Sequence, residues 1–272
     1  MNGMAEVWSL LTLAPVFRSF VALLVGGLAL PLVGIFIVGL DVIPMRYAMM
    51  HVALLGIAVG MWTGLPPVIC GLVLCGLVGA SLAPLADSRF GLSGPSGFVM
   101  TVAIALALVV MSVTGVNANG AFGLLWGSIL ATRTFDVVLI GIVTVVTLGF
   151  YAIKRRDLSL LLFDRDVAAC SGVRVGRLTL LLLVIVATAT ASAVKLTGAL
   201  LVDAVTILPA LGARNLATSL GSAAAWAIGL GLFCNVLGFF IALFVDQPPG
   251  PVMVLTAGTV TVATYLQRRL FA

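Results

Sequence analysis

The stretch GALLVDAVTILPALGARNLATSL, from Gly198 to Leu220, combines a long apolar run with three residues that are unusual in such a run. Asp203 places a carboxyl group near its middle, Pro209 follows, and Arg214 comes after the run. A charged carboxylate inside a membrane is costly unless it faces protein or water. A simple membrane anchor needs none of these residues, so the stretch predicts a membrane segment with a functional role.

The composition of the chain predicts a membrane protein. Of its 272 residues, 62% are hydrophobic and 8% are charged, so polar groups are too few to cover a water-soluble globule. The apolar runs are unbroken, whereas a membrane β-barrel shows stretches of roughly ten residues with alternating polarity. The predicted fold class is therefore an all-α membrane protein, a polytopic bundle of about eight or nine transmembrane helices.

Nine apolar runs are candidate spans. They cover residues 18–39, 44–62, 66–85, 96–115, 134–153, 177–194, 197–212, 219–244 and 251–267. If residues 154–177 are cytoplasmic, alternation puts every basic residue inside except Arg18, Arg133 and Lys195. This bias predicts an outside N-terminus and a cytoplasmic C-terminus if all nine runs cross. The sixth and seventh runs are short, so eight crossings remain an alternative.

The net charge of +5 is explained by this topology, so we expect the lipid bilayer as a partner and no nucleic acid. We expect a single transmembrane domain over residues 1–272. Residues 1–17 lack a basic start and a cleavage site, which favours an interfacial segment carrying Trp8 over a cleaved signal. Residues 154–177 and 213–219 are predicted cytoplasmic loops. Residues 116–132 fit a re-entrant or surface-lying helix and an ordinary external loop equally well.

Several enzyme classes are excluded by missing residues. His51 is the single histidine, so an HExxH site cannot form, and no serine lies in a GxSxG motif that would point to a serine protease with His51 as its base. The sequence has no GxxxxGK[ST] motif, so the chain has no nucleotide-binding loop of its own. The cysteines are scattered and suggest no structural metal. We therefore expect no enzyme and no permanently bound cofactor.

The candidate ligands are the ionisable groups within apolar runs. Asp203 is the acid nearest to the middle of a run, while the others fall in loops or at span ends. It is either functional or a protonated group hydrogen-bonded to Thr206 or to a neighbouring helix. His51 lies inside the second run, and a neutral imidazole is a good ligand for zinc, manganese or iron. A packing role for His51 is the alternative.

Several motifs, in this order along the chain, resemble those of one family. They are RYAMMHVALLGIAVG (46–60), with Gly34 seventeen residues before its histidine, FGLLWGSIL (122–130), FDRDVAACSGVRVG (163–176), GALLVDAVTILPALGAR (198–214) and DQPPGP (246–251). Together they resemble the membrane permeases of zinc and manganese ABC importers, the ABC-3 family, with a type II importer-like fold. The likeness extends over about residues 18–267, and its specificity lies in the ordered set.

The resemblance implies a permease subunit of an ATP-binding-cassette importer that moves a divalent transition metal, zinc, manganese or iron, into the cytoplasm. Separate ATPase subunits would bind ATP, and an extracytoplasmic substrate-binding protein would deliver the metal. A second permease copy or a paralogue would complete the translocation path. The implied location is the inner, or plasma, membrane of a prokaryote, crossed several times, with the C-terminus in the cytoplasm.

The resemblance also points to a segment that contacts the ATPase. Pro209 is expected to end a helix, and Ala213 to Leu220 offers a short amphipathic segment that carries Arg214. This segment is the candidate coupling helix, and Pro209, Ala213, Arg214 and Asn215 are its candidate coupling residues. A simple connecting loop is the alternative.

This chain departs from the family pattern in the proposed metal path. Tyr47 stands four residues before His51, where the family usually has an aspartate, and Asp203 stands where an aliphatic residue is more common. One hypothesis is that Asp203 supplies the missing carboxylate, with Tyr47 and Thr206 lining the path. The alternatives are a different substrate, such as a metal chelate or a small organic molecule, a proton- or sodium-coupled secondary transporter that uses Asp203, and a purely structural subunit.

Overall fold

The computed structural model describes residues 12–87, 91–115 and 132–271, and nearly all of these residues are helical. The described helices are α1 (Ala14–Gly39), α2 (Ile43–Thr63), α3 (Pro67–Leu82), α4 (Ser93–Thr114), α5 (Thr134–Phe163), α6 (Arg165–Cys170), α7 (Val175–Thr197), α8 (Ala199–Leu216), α9 (Leu220–Val245) and α10 (Pro249–Phe271). A 3-10 turn, Ala83–Asp87, follows α3. No strand occurs in these ranges, so the all-α prediction is confirmed.

Eight helices in the described part of the chain are long and apolar enough to cross a membrane: α1 to α5, α7, α9 and α10. This agrees with the prediction of about eight or nine transmembrane helices. The first one begins at Ala14, earlier than the predicted boundary at residue 18. The interfacial segment predicted at 1–17 falls mostly outside the described residues. Residues 116–132, for which a re-entrant or surface-lying helix and an external loop are equally favoured, also fall mostly outside them.

The segment 154–177, predicted as a loop, is mostly helical. Helix α5 continues to Phe163 because Leu158 and Leu161, one turn apart, are both buried and keep the chain helical. The short helix α6 follows at once, and the Asp164 carboxylate caps its start by accepting two backbone N–H groups. The polar residues 154–157 therefore mark the end of an apolar run but do not end a helix.

Backbone contacts divide the chain into two compact units. Among the described residues, the first comprises 12–38, 132–148 and 196–271, and the second comprises 39–87, 91–115 and 149–195. Helix α5 contributes residues to both units, α8 to α10 belong to the first, and α2 to α4 belong to the second. The expectation of one transmembrane domain over residues 1–272 stays a prediction.

Small residues allow the helices of the first unit to approach closely. A Cβ atom built on Gly34 of α1 would lie 2.0 Å from the carbonyl oxygen of Thr206 and 2.9 Å from the Cβ of Ala210, both on α8. A Cβ on Gly231 of α9 would lie 2.3 Å from the Cγ of Pro31 on α1. Close backbone approach at small residues is the usual way in which helices pack within membranes.

Hydrogen bonds between helices also hold the first unit together. The Asn235 amide, which is buried on α9, donates to the carbonyl of Leu23 at 3.1 Å. The Thr144 hydroxyl on α5 donates to the carbonyl of Val25, also at 3.1 Å. Polar side chains inside a membrane protein stabilise helix contacts in this way. Helix α1 is thus joined to two of its neighbours by side-chain hydrogen bonds.

The second unit uses the same packing rule around α2. A Cβ on Gly56 of α2 would lie 2.5 Å from the Cα of Gly71 on α3, so these two backbones are in direct contact. A Cβ on Gly79 of α3 would lie 2.8 Å from the Cβ of Ala187 on α7. An apolar cluster joins α2 to α4 and consists of Leu54, Ile57, Ala58, Ala107 and Met111. Helix α2, which carries His51, is therefore fixed on two sides.

Candidate metal path and coupling segment

The orientation of the His51 side chain is set by its own helix. Its Nδ1 lies 2.9 Å from the backbone carbonyl oxygen of Tyr47, one turn earlier on α2. A carbonyl oxygen can only accept, so the hydrogen of this bond is carried by Nδ1. The lone pair of a neutral His51 ring is then on Nε2. Metal-binding histidines commonly donate their other ring N–H to such an acceptor, so this arrangement suits a metal ligand.

Tyr47 contacts the buried Arg46 through its ring and His51 through its backbone carbonyl oxygen. The Arg46 side chain is 0% exposed, and its guanidinium carbon lies 4.3 Å from the centroid of the Tyr47 ring, which is 42% exposed. The Arg46 Nη1 also donates to the sulfur of Met50. Sequence reasoning predicted Arg46 as a cytoplasmic end residue and missed its burial. The nearest sequence signal is the adjacent tyrosine, since arginine stacks well on aromatic rings.

The other candidate ligand, Asp203, lies on α8 and is partly buried. It belongs to the first compact unit, whereas His51 belongs to the second. Within residues 12–87, 91–115 and 132–271, no group of three or more His, Cys, Asp or Glu side chains could hold a metal ion. Asp203 and His51 therefore remain two separate candidate ligands, and their pairing stays a prediction.

Thr206, one turn after Asp203, is 1% exposed, and its hydroxyl donates to the carbonyl of Val202 on the same helix. A role for Thr206 in lining the path stays a prediction. Pro209 is also buried, and the prediction that it ends a helix is wrong, because α8 continues to Leu216. Neighbouring helices can compensate for the hydrogen bond that a proline removes from a membrane helix.

The candidate coupling segment is the last turn of α8 and the linker that follows, instead of a separate helix. Ala213 is fully buried, in a cluster with Ile35, Ala210, Ala223 and Ala227. Arg214 is exposed, and Asn215 is partly exposed. A partner protein at this end of α8 would therefore contact the exposed Arg214 side chain. Ala213 and Pro209 are buried, so a displacement of α8 would reach them only through their packing contacts.

Helix α10 supports this end of α8 through two hydrogen bonds. The Thr261 hydroxyl lies 2.9 Å from the carbonyl oxygen of Leu208 and 2.8 Å from that of Ala257 on its own helix, so its one hydrogen is shared between these two acceptors. The Asn215 amide donates to the Thr264 hydroxyl at 3.3 Å. Sequence reasoning missed both threonines. Their spacing of three residues places them on one face of α10, which is the signal that could have identified them.

All three backbone N–H groups of the linker between α8 and α9, Ala217 to Ser219, donate hydrogen bonds. The Ala217 N–H donates to the carbonyl of Ala213 at 2.9 Å. The Thr218 and Ser219 N–H groups donate to the Ser222 hydroxyl oxygen at 3.1 Å and 3.0 Å. Ser219 in turn caps α9 by accepting from the Ser222 N–H, which forms a capping box. The linker is thus a stiff connection between two helices.

A cavity of about 440 Å³ opens beside the end of α8. Its lining residues are Leu211, Arg214, Asn215, Thr261, Val262, Tyr265 and Arg268. Arg214 and Arg268 give this cavity a basic character, and Tyr265 adds an aromatic surface. The cavity therefore suits an inserted protein side chain that carries a carboxylate.

Comparison with known proteins agrees with the motifs and the fold. The chain is 24% identical over 257 residues to the high-affinity zinc uptake system membrane protein ZnuB of Haemophilus influenzae, covering 93% of this chain and 98% of ZnuB. It is 29% identical over 232 residues to the manganese import system permease protein ScaB of Streptococcus parasanguinis, covering 85% and 82%. The solved structure of PsaBC from Streptococcus pneumoniae in complex with Fab matches with a TM-score of 0.83 and 26% identity, covering 97% of this chain and 95% of that chain.

The membrane-spanning helices and these likenesses over nearly the whole chain define a membrane transport permease. The model of the ABC 3 transport family matches residues 13–268, and the chain belongs to this family. The resemblance inferred from the ordered motifs is confirmed, and the matched residues include α1 to α9 and all but the end of α10.

Proposed function

We propose that this permease is the membrane subunit of an ABC importer that carries zinc, manganese or iron into the cytoplasm. The observation that carries the proposal is the family match over residues 13–268. The likeness to ZnuB, a protein of a zinc uptake system, and to ScaB, a protein of a manganese import system, supports a divalent metal as the substrate. The sequence has no GxxxxGK[ST] motif, so this chain is a transport subunit without ATPase activity, and separate subunits bind ATP.

In the proposed path, the Nε2 atom of His51 and the carboxylate of Asp203 are each a ligand that the passing metal contacts. Zinc, manganese and iron all accept such nitrogen and oxygen ligands. Few protein ligands leave most coordination positions to water, so the metal is held weakly enough to leave, as a conduit requires. Tyr47 and Thr206 line the path beside these ligands. The metal is cargo, and no cofactor is resident.

Coupling to ATP hydrolysis takes place at the α8–α9 linker. The closing ATPase subunits push on Arg214 and on Ala217 to Ser219, and the hydrogen-bonded linker passes the displacement to both helices without bending. Hydrogen bonds from Thr261 and Asn215 make α10 move together with α8. The helix that carries Asp203 therefore moves as part of a rigid group, as alternating access requires.

The proposed complex contains a second permease copy or a paralogue, two ATPase subunits and an extracytoplasmic substrate-binding protein. It lies in the inner, or plasma, membrane of a prokaryote. The last turn of α10 carries Arg268 and Arg269, which supports a cytoplasmic C-terminus under the positive-inside rule.

Reconstitution with the partner ATPase tests the function directly. In proteoliposomes, we expect ATP-dependent uptake of at least one of Zn²⁺, Mn²⁺ and Fe²⁺, measured with radioactive metal. The control is an ATPase whose Walker A lysine is replaced, which should show no uptake above background.

Two outcomes would redirect the proposal. Uptake that requires a proton or sodium gradient and ignores ATP would indicate a secondary transporter. ATP-dependent uptake of a metal chelate without uptake of any free metal would indicate the same fold with a different substrate.

The stiffness of the linker predicts a specific effect of Ser222→Ala. This change removes the acceptor of two linker N–H groups and one half of the capping box, at a cost of about 1 kcal/mol to the local structure. We expect metal uptake per ATP hydrolysed to fall several-fold in proteoliposomes, while the thermal stability of the whole protein changes little.

Ser222→Thr is the matched control, because it keeps the hydroxyl oxygen at the same position. It should retain most of the coupling ratio. An equal loss in both variants would show that the hydroxyl group does not stiffen the linker.

A further inference from the structure

A basic cavity in the second unit has no role in the proposed path. It measures about 510 Å³ and is lined by the second half of α5, the segment after α6 and the start of α7. Its basic lining residues are Lys154, Arg156, Arg174 and Arg177, and Asp157 is the acid among the described lining residues. Asp157 is paired with Lys154 at 3.1 Å. Three arginines therefore line one concave surface, and its described lining contains no second acid.

The same cavity has an apolar side. Leu160, Leu178 and Leu181 complete one part of its lining, and Leu181 is 46% exposed. Lys154 lies where the apolar run of α5 ends, which is the level of the membrane boundary. Guanidinium groups and an exposed leucine thus meet at the depth where phospholipid headgroups join their acyl chains.

The chemistry of the lining selects the type of ligand. Arginine binds phosphate oxygens through paired N–H groups, and basic pockets at the cytoplasmic membrane surface attract anionic headgroups. None of the described lining residues is aromatic, so these residues offer no stacking surface for a nucleotide base. The volume is adequate for a headgroup, since small-ligand pockets measure about 300–1,000 Å³.

We propose that this cavity binds the phosphate headgroup of an anionic phospholipid of the cytoplasmic leaflet, with Arg156, Arg174 and Arg177 holding the phosphate. An acyl chain of the same lipid lies along Leu181. This lipid site is independent of the transported substrate, and it would fix the cytoplasmic ends of α5 and α7 at the membrane surface.

Native mass spectrometry of the full chain in detergent tests the proposal. The probes are phosphatidylglycerol and the zwitterionic phosphatidylcholine. We expect the wild-type chain to retain phosphatidylglycerol preferentially. Each removed cation should weaken that binding about fivefold, so Arg174→Gln/Arg177→Gln should weaken it about 25-fold. Arg155→Gln/Arg269→Gln is the matched control, because both residues are exposed and neither lines the cavity.

The proposal is wrong if the control double variant loses as much phosphatidylglycerol as the cavity variant, or if the wild type retains both lipids equally. A competition measurement adds the water-soluble compounds inorganic phosphate and glycerophosphoglycerol. If either displaces the lipid at equal concentration, the site binds free anions and the lipid assignment fails. Should the double variant lose its cooperative thermal unfolding, the single changes Arg174→Gln and Arg155→Gln replace the pair, with an expected difference of about fivefold.

Discussion

Replacing His51 with alanine is expected to reduce ATP-dependent metal uptake by at least about tenfold, because even the outer partners of metal ligands contribute that much to metal affinity. The Nε2 atom of His51 is the proposed nitrogen ligand, and its ring orientation is fixed by the bond from Nδ1 to Tyr47. The measurement is the initial rate of uptake in proteoliposomes that contain the ATPase. Tyr47→Phe keeps the backbone acceptor and should leave the His51 orientation unchanged.

The same uptake assay tests whether His51 and Asp203 both serve metal transport. We expect Asp203→Asn to reduce uptake by a similar factor. The double variant His51→Ala/Asp203→Asn should be no worse than the more severe single variant, because losses at residues that serve the same transport step are not additive. Asp246→Asn is the matched control, since Asp246 is exposed and asparagine tolerates its φ of 55°. Wild-type uptake of every metal by either His51→Ala or Asp203→Asn would refute the proposed ligand pair.

A second large effect is expected from Gly34→Ala. The new methyl group would lie 2.0 Å from the carbonyl oxygen of Thr206, a backbone atom that can move only if α8 moves. We expect a loss of about 3 kcal/mol or more in stability, at the upper end of overpacking effects. At about 2–4 °C per kcal/mol, the midpoint of thermal unfolding in detergent should fall by roughly 10 °C.

Gly141→Ala provides the control for this packing argument. Gly141 lies on α5, and a Cβ built there has no neighbour within 4 Å. Alanine favours helix more than glycine does, so this variant should be as stable as the wild type or slightly more stable. Equal unfolding midpoints for the two variants would show that α1 and α8 are not in close contact at Gly34.

The membrane fold could be predicted from the sequence because composition and run length alone decide it. Unbroken apolar runs permit only helices, and most helix positions follow from them. The ends of α5 and α8 were predicted less well. Leu158 and Leu161 keep α5 helical beyond its basic residues, and a hydroxyl from Thr261 on a distant part of the chain bonds beside Pro209. The partner in a tertiary contact of this kind cannot be identified from either segment of the chain alone.

Some residues of the candidate site could be predicted from the sequence, and others could not. His51 and Asp203 could be proposed from the sequence because ionisable groups are rare in apolar runs. The burial of Arg46 could not be predicted, because an arginine at the start of an apolar run is usually exposed at the membrane surface. Ser222 was missed because its hydroxyl stands where the common capping box has Glu or Gln.

The bond from Thr261 to Leu208 has a consequence for how the protein is made. These residues are 53 positions apart, so α8 is synthesised and inserted well before the helix that supports it. Until α10 enters the membrane, the end of α8 lacks the support of both Thr261 and Thr264. The proposed ATPase docking surface at the end of α8 is therefore supported only after α10 is inserted. We expect a chain that stops before α10 to bind the ATPase less well than the chain that includes it.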